Sequence, residues 1–156
     1  MTYADGPFAA WSNLSLSRTE GRDIVSARAL FPANYLVDTA VRYVPVDQDQ
    51  TVTASGGASY HWHRLRISSD LIYGGGVRRT APGNSVNSAS LPDYVQVNFA
   101  GVLHLPGLGD KPMDLRVDLI NAFDARYQLR DGTALGGGTS QFARGRGVFV
   151  GIEQGF

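Results

Sequence analysis

The chain has 156 residues, with 14 lysine and arginine residues balanced by 14 aspartate and glutamate residues, and no cysteine. The zero net charge gives no reason to expect a nucleic-acid partner, and the lack of cysteine excludes disulfides, thiolate metal sites and cysteine nucleophiles. No apolar run approaches the roughly 20 residues of a membrane helix, and the N-terminal residues lack the charged and apolar regions of a signal peptide.

Alternation of apolar and polar residues predicts strands along most of the chain. The first two segments, residues 8–18 and 23–30, are less regular, and we expect them to form a hairpin across the turn at residues 19–21. The remaining predicted strands cover residues 51–62, 64–73, 95–105 and 113–119 and a last segment from residue 148. This gives seven strands, with residues 36–44 as a candidate eighth.

The clearest alternation runs from Met113 to Leu119. The apolar side of this segment carries Met113, Leu115, Val117 and Leu119, and the charged side carries Asp114, Arg116 and Asp118. Segments of this kind are about as long as the 9–11 residues that a tilted strand needs to cross a bilayer. Alternation alone predicts a strand rather than a membrane strand, because a soluble sandwich can hold the same pattern with its polar face in solvent.

The predicted connections alternate in length along the chain. Short ones at residues 19–21, 61–63 and 106–111 alternate with long ones at residues 31–49, 74–91 and 124–145. Short turns at one rim and long loops at the other are typical of an outer-membrane barrel, whose long loops lie outside the cell.

This sorting of the connections also predicts where the aromatic residues lie. Tyr60, Trp62 and Phe156 are expected at the inner membrane interface and Tyr73 at the outer one, with ordinary core aromatics as the alternative. Single-chain bacterial barrels have an even number of strands. Seven strands therefore indicate either one further strand or the last part of a larger barrel.

Several motifs of the chain carry a family resemblance. They are IYGGGVR from Ile72, LPDYVQVN from Leu91, DLINAFD from Asp118, YQLRDGT from Tyr127, RGVFVGI from Arg146 and the terminal Phe156. With them, the region from Thr51 to Phe156 resembles the C-terminal end of TonB-dependent outer-membrane receptors.

The resemblance implies an all-β fold. This is an antiparallel meander of about 7–8 long transmembrane strands within a larger, roughly 22-stranded β-barrel, and an open curved sheet if the chain is alone. The whole chain, residues 1–156, would be a single partial domain, with the plug domain and the earlier strands upstream of Met1.

The implied function is uptake of a scarce nutrient such as an iron chelate, within the full barrel in the bacterial outer membrane. The implied partners are outer-membrane lipid and lipopolysaccharide, the barrel-assembly machinery, the upstream barrel and plug, and the nutrient. We expect neither enzymatic activity nor a cofactor. The last strand resembles the signal read by the assembly machinery, carried by Val148, Val150, Ile152 and Phe156, with Gln154 where that signal usually has an apolar residue.

Arginines of the long loops are candidate contacts for an anionic ligand. These are Arg78, Arg79, Arg130 and Arg144, with Arg146 nearby. Pairing with lipopolysaccharide, or with Asp124 and Asp131, is the favoured alternative. Charged residues of the strands are expected to line the barrel lumen: Arg64, Arg66, Asp70, Asp114, Arg116 and Asp118.

Two other patterns favour a structural role over a ligand site. His61 and His63 flank Trp62 and could hold a metal, but a tight polar turn is the better interpretation because no third ligand is predicted nearby. The runs Gly74–Gly76 and Gly136–Gly138 are interpreted as flexible loops, since no helix follows them as a phosphate cradle requires.

Two alternatives to the receptor remain open from the sequence. One is a small complete barrel of about eight strands that acts as an anchor or adhesin. The other is a soluble β-sandwich whose apolar faces pack against a second sheet.

Overall fold

The computed structural model describes residues 1–24, 33–107 and 111–154. The strands are β1 (Thr2–Asp5), β2 (Phe8–Leu16), β3 (Glu20–Gly21), β4 (Val44–Pro45), β5 (Val52–Trp62), β6 (Leu65–Gly74), β7 (Arg78–Arg79), β8 (Ala89–Ser90), β9 (Tyr94–Pro106), β10 (Pro112–Ile120), β11 (Gln128–Arg130), β12 (Gln141–Phe142) and β13 (Gly147–Gln154). One helix, α1, covers Ala33–Val41.

The long strands form one seven-stranded sheet in the order β1-β2-β5-β6-β9-β10-β13. Every neighbouring pair is antiparallel, and each long strand lies beside the next one in the chain. The predicted antiparallel meander is therefore confirmed. So is the open sheet, because β1 and β13 each pair along one side only within the described residues.

The connections differ at the two ends of this sheet. Short turns join β1 to β2, β5 to β6 and β9 to β10, whereas the three long connections contain α1 and three two-stranded ribbons, β3–β4, β7–β8 and β11–β12. The predicted sorting is thus confirmed from β5 onwards, whereas the predicted short turn at residues 19–21 lies inside the first long connection. The first short turn is Gly6–Pro7, with Gly6 at a φ of 53°, as a two-residue hairpin turn requires of its first central residue.

Two predictions about the first fifty residues are wrong. Residues 20–21 do not turn back along β2 but pair with Val44–Pro45, and β1 and β5 are the two neighbours of β2. Most of the second strand predicted for that hairpin, residues 25–30, lies outside the described residues. The candidate eighth strand at residues 36–44 is largely the helix α1, where the side chain of Thr39 donates to the Leu36 carbonyl oxygen.

The sequence predicted a strand here because the apolar residues of α1 fit both the helical and the alternating spacing. Leu36, Val37, Ala40 and Val41 recur at helical spacing, but so short a segment also admits alternation. Arg42 pairs with Asp38 one turn earlier at 2.9 Å, which supports the end of the helix.

The buried hydrophobic cluster lies among the long connections rather than on the sheet. Val44, Val86 and Leu135 each come from a different long connection, and they pack with Ile24 and Tyr35. We call the described parts of residues 17–51, 75–93 and 121–146 the loop cap. No helix among the described residues is long and apolar enough to cross a membrane.

Candidate functional site

The strand registers sort the side chains of the sheet onto two chemically different faces. Directly paired residues share a face, as in the row Phe8, Tyr60, Ile67, Gly101, Val117 and Val150 across six strands. Parallel rows on the same face contain Leu14, Leu71, Val97, Phe99 and Leu119. We call this the apolar face. In β2, β5, β6, β9, β10 and β13 all charged side chains lie on the other, polar face.

The apolar face is exposed. Leu14 keeps 70% of its accessible surface, Ile67 51% and Val150 68%, although all three are large hydrophobic residues. The loop cap lies at one end of the sheet, and nothing in the described chain covers this face. A contiguous exposed apolar face is typical of a surface that contacts another protein or a membrane.

Aromatic residues lie near both ends of the apolar face. Tyr60 and Trp62 end β5 beside the short turn, and Tyr73 lies at the opposite end of β6, beside a long connection. The Tyr73 hydroxyl donates to the Asp93 carboxylate at 2.7 Å. The positions predicted for these three residues relative to the turns are confirmed, whereas Phe156 lies outside the described residues.

The polar face carries a continuous hydrogen-bond chain near the loop cap. The Tyr127 hydroxyl donates to Gln96 at 2.9 Å, the Gln96 amide donates to Asn98 at 3.0 Å, and the Asn98 amide donates to Asp70 at 2.7 Å. This chain fixes the orientation of side chains on two strands and one loop.

Charged pairs occupy the rest of the polar face. Arg116 makes two 2.7 Å bonds to Asp118, and the ring of His104 lies 2.7 Å from Asp114. The His61 ring is 6.4 Å from the His104 ring, a proximity that the sequence did not predict.

Only the register reveals that proximity, because it brings the end of β5 close to the end of β9 across β6. His63 has a φ of 55° and belongs to the turn. No cluster of three or more metal-ligating side chains occurs in the described part of the chain.

Asn121, the asparagine of the DLINAFD motif, has a structural role. Its side chain is fully buried, and its amide nitrogen donates to the carbonyl oxygens of Ala125 and Arg144, both at 3.0 Å. Its backbone N–H donates to the Asn98 side chain at 2.8 Å. Asn121 therefore joins the end of β10, the following turn and the segment before β13 to the polar face.

Asp124 closes the same turn through its carboxylate, which accepts the Arg146 backbone N–H at 3.0 Å. That hydrogen bond, aided by the charges of Arg126 and Arg146, lowers the pKa of Asp124 below the usual range of an aspartate. Asp124 therefore stays charged under conditions in which an isolated aspartate begins to protonate.

Two of the candidate ligand arginines are engaged within the loop cap. Arg78 forms a 2.8 Å ion pair with Asp49, whose side chain is completely buried. Arg79 lies 4.0 Å from Asp131, so the favoured alternative of pairing with Asp131 holds for this residue. Both guanidinium groups thus face carboxylates of the chain itself.

The other two candidate arginines have different surroundings. The Arg144 guanidinium lies 4.7 Å above the Phe149 ring, and Arg130 borders a cleft at the edge of the loop cap. Whether any of the four arginines contacts a ligand remains a prediction.

The residues of the predicted assembly signal lie on the open edge strand. Val148, Val150 and Ile152 share the apolar face of β13 and are all exposed. Phe156 lies outside the described residues. The position of these side chains agrees with the predicted alternation, and the assembly role remains a prediction.

The glycine run after β6 permits close backbone contact. A Cβ at Gly76 would overlap the carbonyl group of Leu91, and a Cβ at Gly74 would overlap the Tyr94 ring. The run therefore lets chain segments approach each other at the start of the loop cap.

No family model, curated protein or solved structure was found to match this chain.

Proposed function

We propose that the chain forms part of the wall of a bacterial outer-membrane β-barrel, as the C-terminal portion of a TonB-dependent receptor that imports a scarce nutrient. The observation that carries the proposal is the exposed apolar face. The six strands β2, β5, β6, β9, β10 and β13 have 8 to 13 residues. At about 3.3 Å per residue and a strand spacing of about 4.8 Å, they give this face an area on the order of 900 Å². The largest apolar patch of a soluble monomer is about 300–600 Å².

Lipid fits this face better than a second protein sheet. The face is bordered near both ends by aromatic residues, as the girdles of a membrane barrel are. The 10 residues of β6 and the 11 of β5 match the roughly 9–11 that a tilted strand needs to cross the bilayer. The helix and the ribbons of the long connections gather at one end of the sheet, where outer-membrane barrels hold their outer loops.

The receptor family is supported by the DLINAFD and LPDYVQVN motifs and by the two unpaired edges, which further strands of a larger barrel would complete. In that barrel the polar face would line the lumen and meet a plug. The loop cap would face the outside and lipopolysaccharide, and β13 would carry the signal for the assembly machinery. No enzymatic step is part of this proposal.

The two tryptophans of the chain test the proposal, because they lie on opposite faces. Trp62 is on the apolar face, whereas Trp11 pairs with Gly57 on the polar face. We would refold Trp11→Phe and Trp62→Phe variants into vesicles with lipids brominated at a defined acyl depth. The remaining Trp62 should be quenched by bromine near the interface, and the remaining Trp11 should be quenched less.

The matched control is aqueous acrylamide, which should quench Trp11 more than Trp62 in the same vesicles. Equal quenching of both tryptophans by brominated lipid would contradict the assignment of faces. A chain that stays monomeric without detergent, with neither tryptophan quenched by lipid, would refute the membrane proposal and favour the soluble sandwich.

A further inference from the structure

A cleft of about 420 Å³ lies where the polar face of the sheet meets the loop cap. Three parts of the chain supply its polar walls: the segment before β5, the first residue of β9, and the ribbon β11–β12. The polar side chains are Gln48, Gln50, Tyr94, Gln128, Arg130 and Gln141.

Most polar groups of this cleft are free to bind a ligand. Within the described residues, the side-chain amides of Gln48, Gln50 and Gln141 and the hydroxyl of Tyr94 form no hydrogen bond with the protein. Gln128 uses its amide nitrogen to donate to the Ser140 hydroxyl at 2.9 Å. Amide side chains both donate and accept, so the cleft offers matched donors and acceptors at several points.

The aromatic wall of the cleft is held in place. The ring of Tyr94 stacks on the ring of Tyr127 with 3.9 Å between centroids and an angle of 3°. Gly74, directly opposite Tyr94 in the register, leaves the space that the Tyr94 ring occupies. The Tyr94 hydroxyl is therefore presented from a fixed ring, which reduces the entropy lost on binding.

Charge in the cleft is sparse. Arg130 is its one charged lining side chain, and the nearby carboxylate of Asp49 is already paired with Arg78. An anionic iron chelate needs several converging cations, because each guanidinium neutralises a single charge. Among the described residues that line the cleft, Arg130 is the single candidate arginine.

We propose that this cleft binds a neutral, hydroxyl-rich ligand of the carbohydrate class. Sugar hydroxyls donate and accept as glutamine amides do, and Arg130 supplies further donors without requiring an anion. The inference names the ligand class of the importer proposed above, and in that respect it rests on the proposed function. It differs from the iron chelate expected from the sequence.

The test uses the full chain refolded in an amine-oxide detergent, which carries no sugar group. Maltohexaose, cellohexaose and chitohexaose are the neutral probes, and ferric citrate is the anionic comparator. Saturation-transfer NMR and calorimetric titration would give the dissociation constants. We expect saturable binding of at least one oligosaccharide, with ferric citrate bound more weakly.

The variants separate a ligand contact from a loss of fold. Gln50→Ala combined with Gln141→Ala should weaken oligosaccharide binding about tenfold, because two ligand hydrogen bonds are lost. Tyr94→Phe should weaken it less, since it removes only a hydroxyl. Gln154→Ala, an amide on the apolar face of β13, should leave binding unchanged. Near-ultraviolet circular dichroism would verify the fold of each variant.

Absence of saturable binding by all three oligosaccharides would overturn the inference, as would tighter binding of ferric citrate or binding that the double variant leaves unchanged. Quenching of Trp62 by brominated lipid tests the membrane proposal separately. A chain that inserts but binds no oligosaccharide refutes only the ligand class, whereas oligosaccharide binding without lipid quenching refutes only the barrel.

Discussion

The side-chain amide of Asn87 donates to the Pro45 carbonyl oxygen at 2.7 Å, which joins two long connections across 42 positions of sequence. The same amide donates to Asp47 at 2.9 Å, and the Asn87 side-chain oxygen accepts the Leu135 N–H at 3.1 Å. One fully buried residue thus ties all three long connections of the loop cap together.

We predict that Asn87→Gly loosens the loop cap. Glycine suits the φ of 54° at this position, so the variant removes the side chain without adding backbone strain. The groups left unsatisfied should lower the free energy of local opening by about 2–3 kcal/mol. Hydrogen exchange at the Leu135 amide measures this, and Asn84→Gly, at an exposed position of the same connection, is the control. Unchanged exchange would show that the connections are held by other contacts.

Arg78→Ala should destabilise the loop cap by about 3 kcal/mol, because it leaves the buried Asp49 carboxylate without its cation. Arg130→Ala, at an exposed position, should change stability by less than about 0.5 kcal/mol. Urea titration with a loop-cap amide as probe compares the two variants. If Arg78→Ala keeps its stability and loses ligand binding instead, Arg78 is a ligand contact rather than a structural one.

Leu71 and Ile72 form a matched pair for the two faces of β6. Their exposed fractions are 40% and 41%, but Leu71 pairs with Val97 on the apolar face and Ile72 with Gln96 on the polar face. In lipid, Leu71→Arg should cost about 2–4 kcal/mol, and Ile72→Arg much less. Denaturant titration of both variants in vesicles measures the difference. Equal costs would indicate that the two faces meet the same solvent.

Asp93 provides a prediction on pH. A hydrogen bond from the Tyr73 hydroxyl, and a smaller effect from the hydrogen bond of the Gly76 N–H, hold the pKa of Asp93 below its usual range. A lowered pKa gives stability that is present above the unfolded value of about 3.9 and is lost as the pH falls through the folded value. Tyr73→Phe should raise the pKa of Asp93, which carboxyl NMR would detect. Tyr60→Phe is the control, and an unmoved Asp93 titration in Tyr73→Phe would contradict the assigned cause.

Gly74→Ala should displace the Tyr94 ring from Tyr127, because the added methyl group would overlap that ring. Burial, with a contribution from Tyr94, raises the pKa of Tyr127. Loss of the stack should therefore lower the pKa of Tyr127 towards the usual value of about 10. An NMR titration of the tyrosine ring carbons measures it. Gly101→Ala, where nothing lies within 4 Å of the added Cβ, should leave the Tyr127 titration unchanged.

The sequence by itself determined the long strands and the alternation of their faces. Alternation is a local property, since successive side chains of a strand point to opposite sides whatever the neighbouring strands are. The residues of β10 that were predicted to share a face, such as Leu115 and Val117, do so. The contrast between short turns and long connections was also readable from β5 onwards, because the connections there are the segments between alternating runs.

Only the tertiary structure decided which contacts hold the loop cap together and which partners its polar side chains have. Asn87, Asp49 and Asn121 find their partners far away in sequence, so no local period reports them. The proximity of His61 to His104 follows from register alone. The partners of Arg78 and Arg79 were not predictable in full for the same physical reason. Charge pairing depends on which long connections pack together, and that packing is set by buried contacts rather than by local sequence.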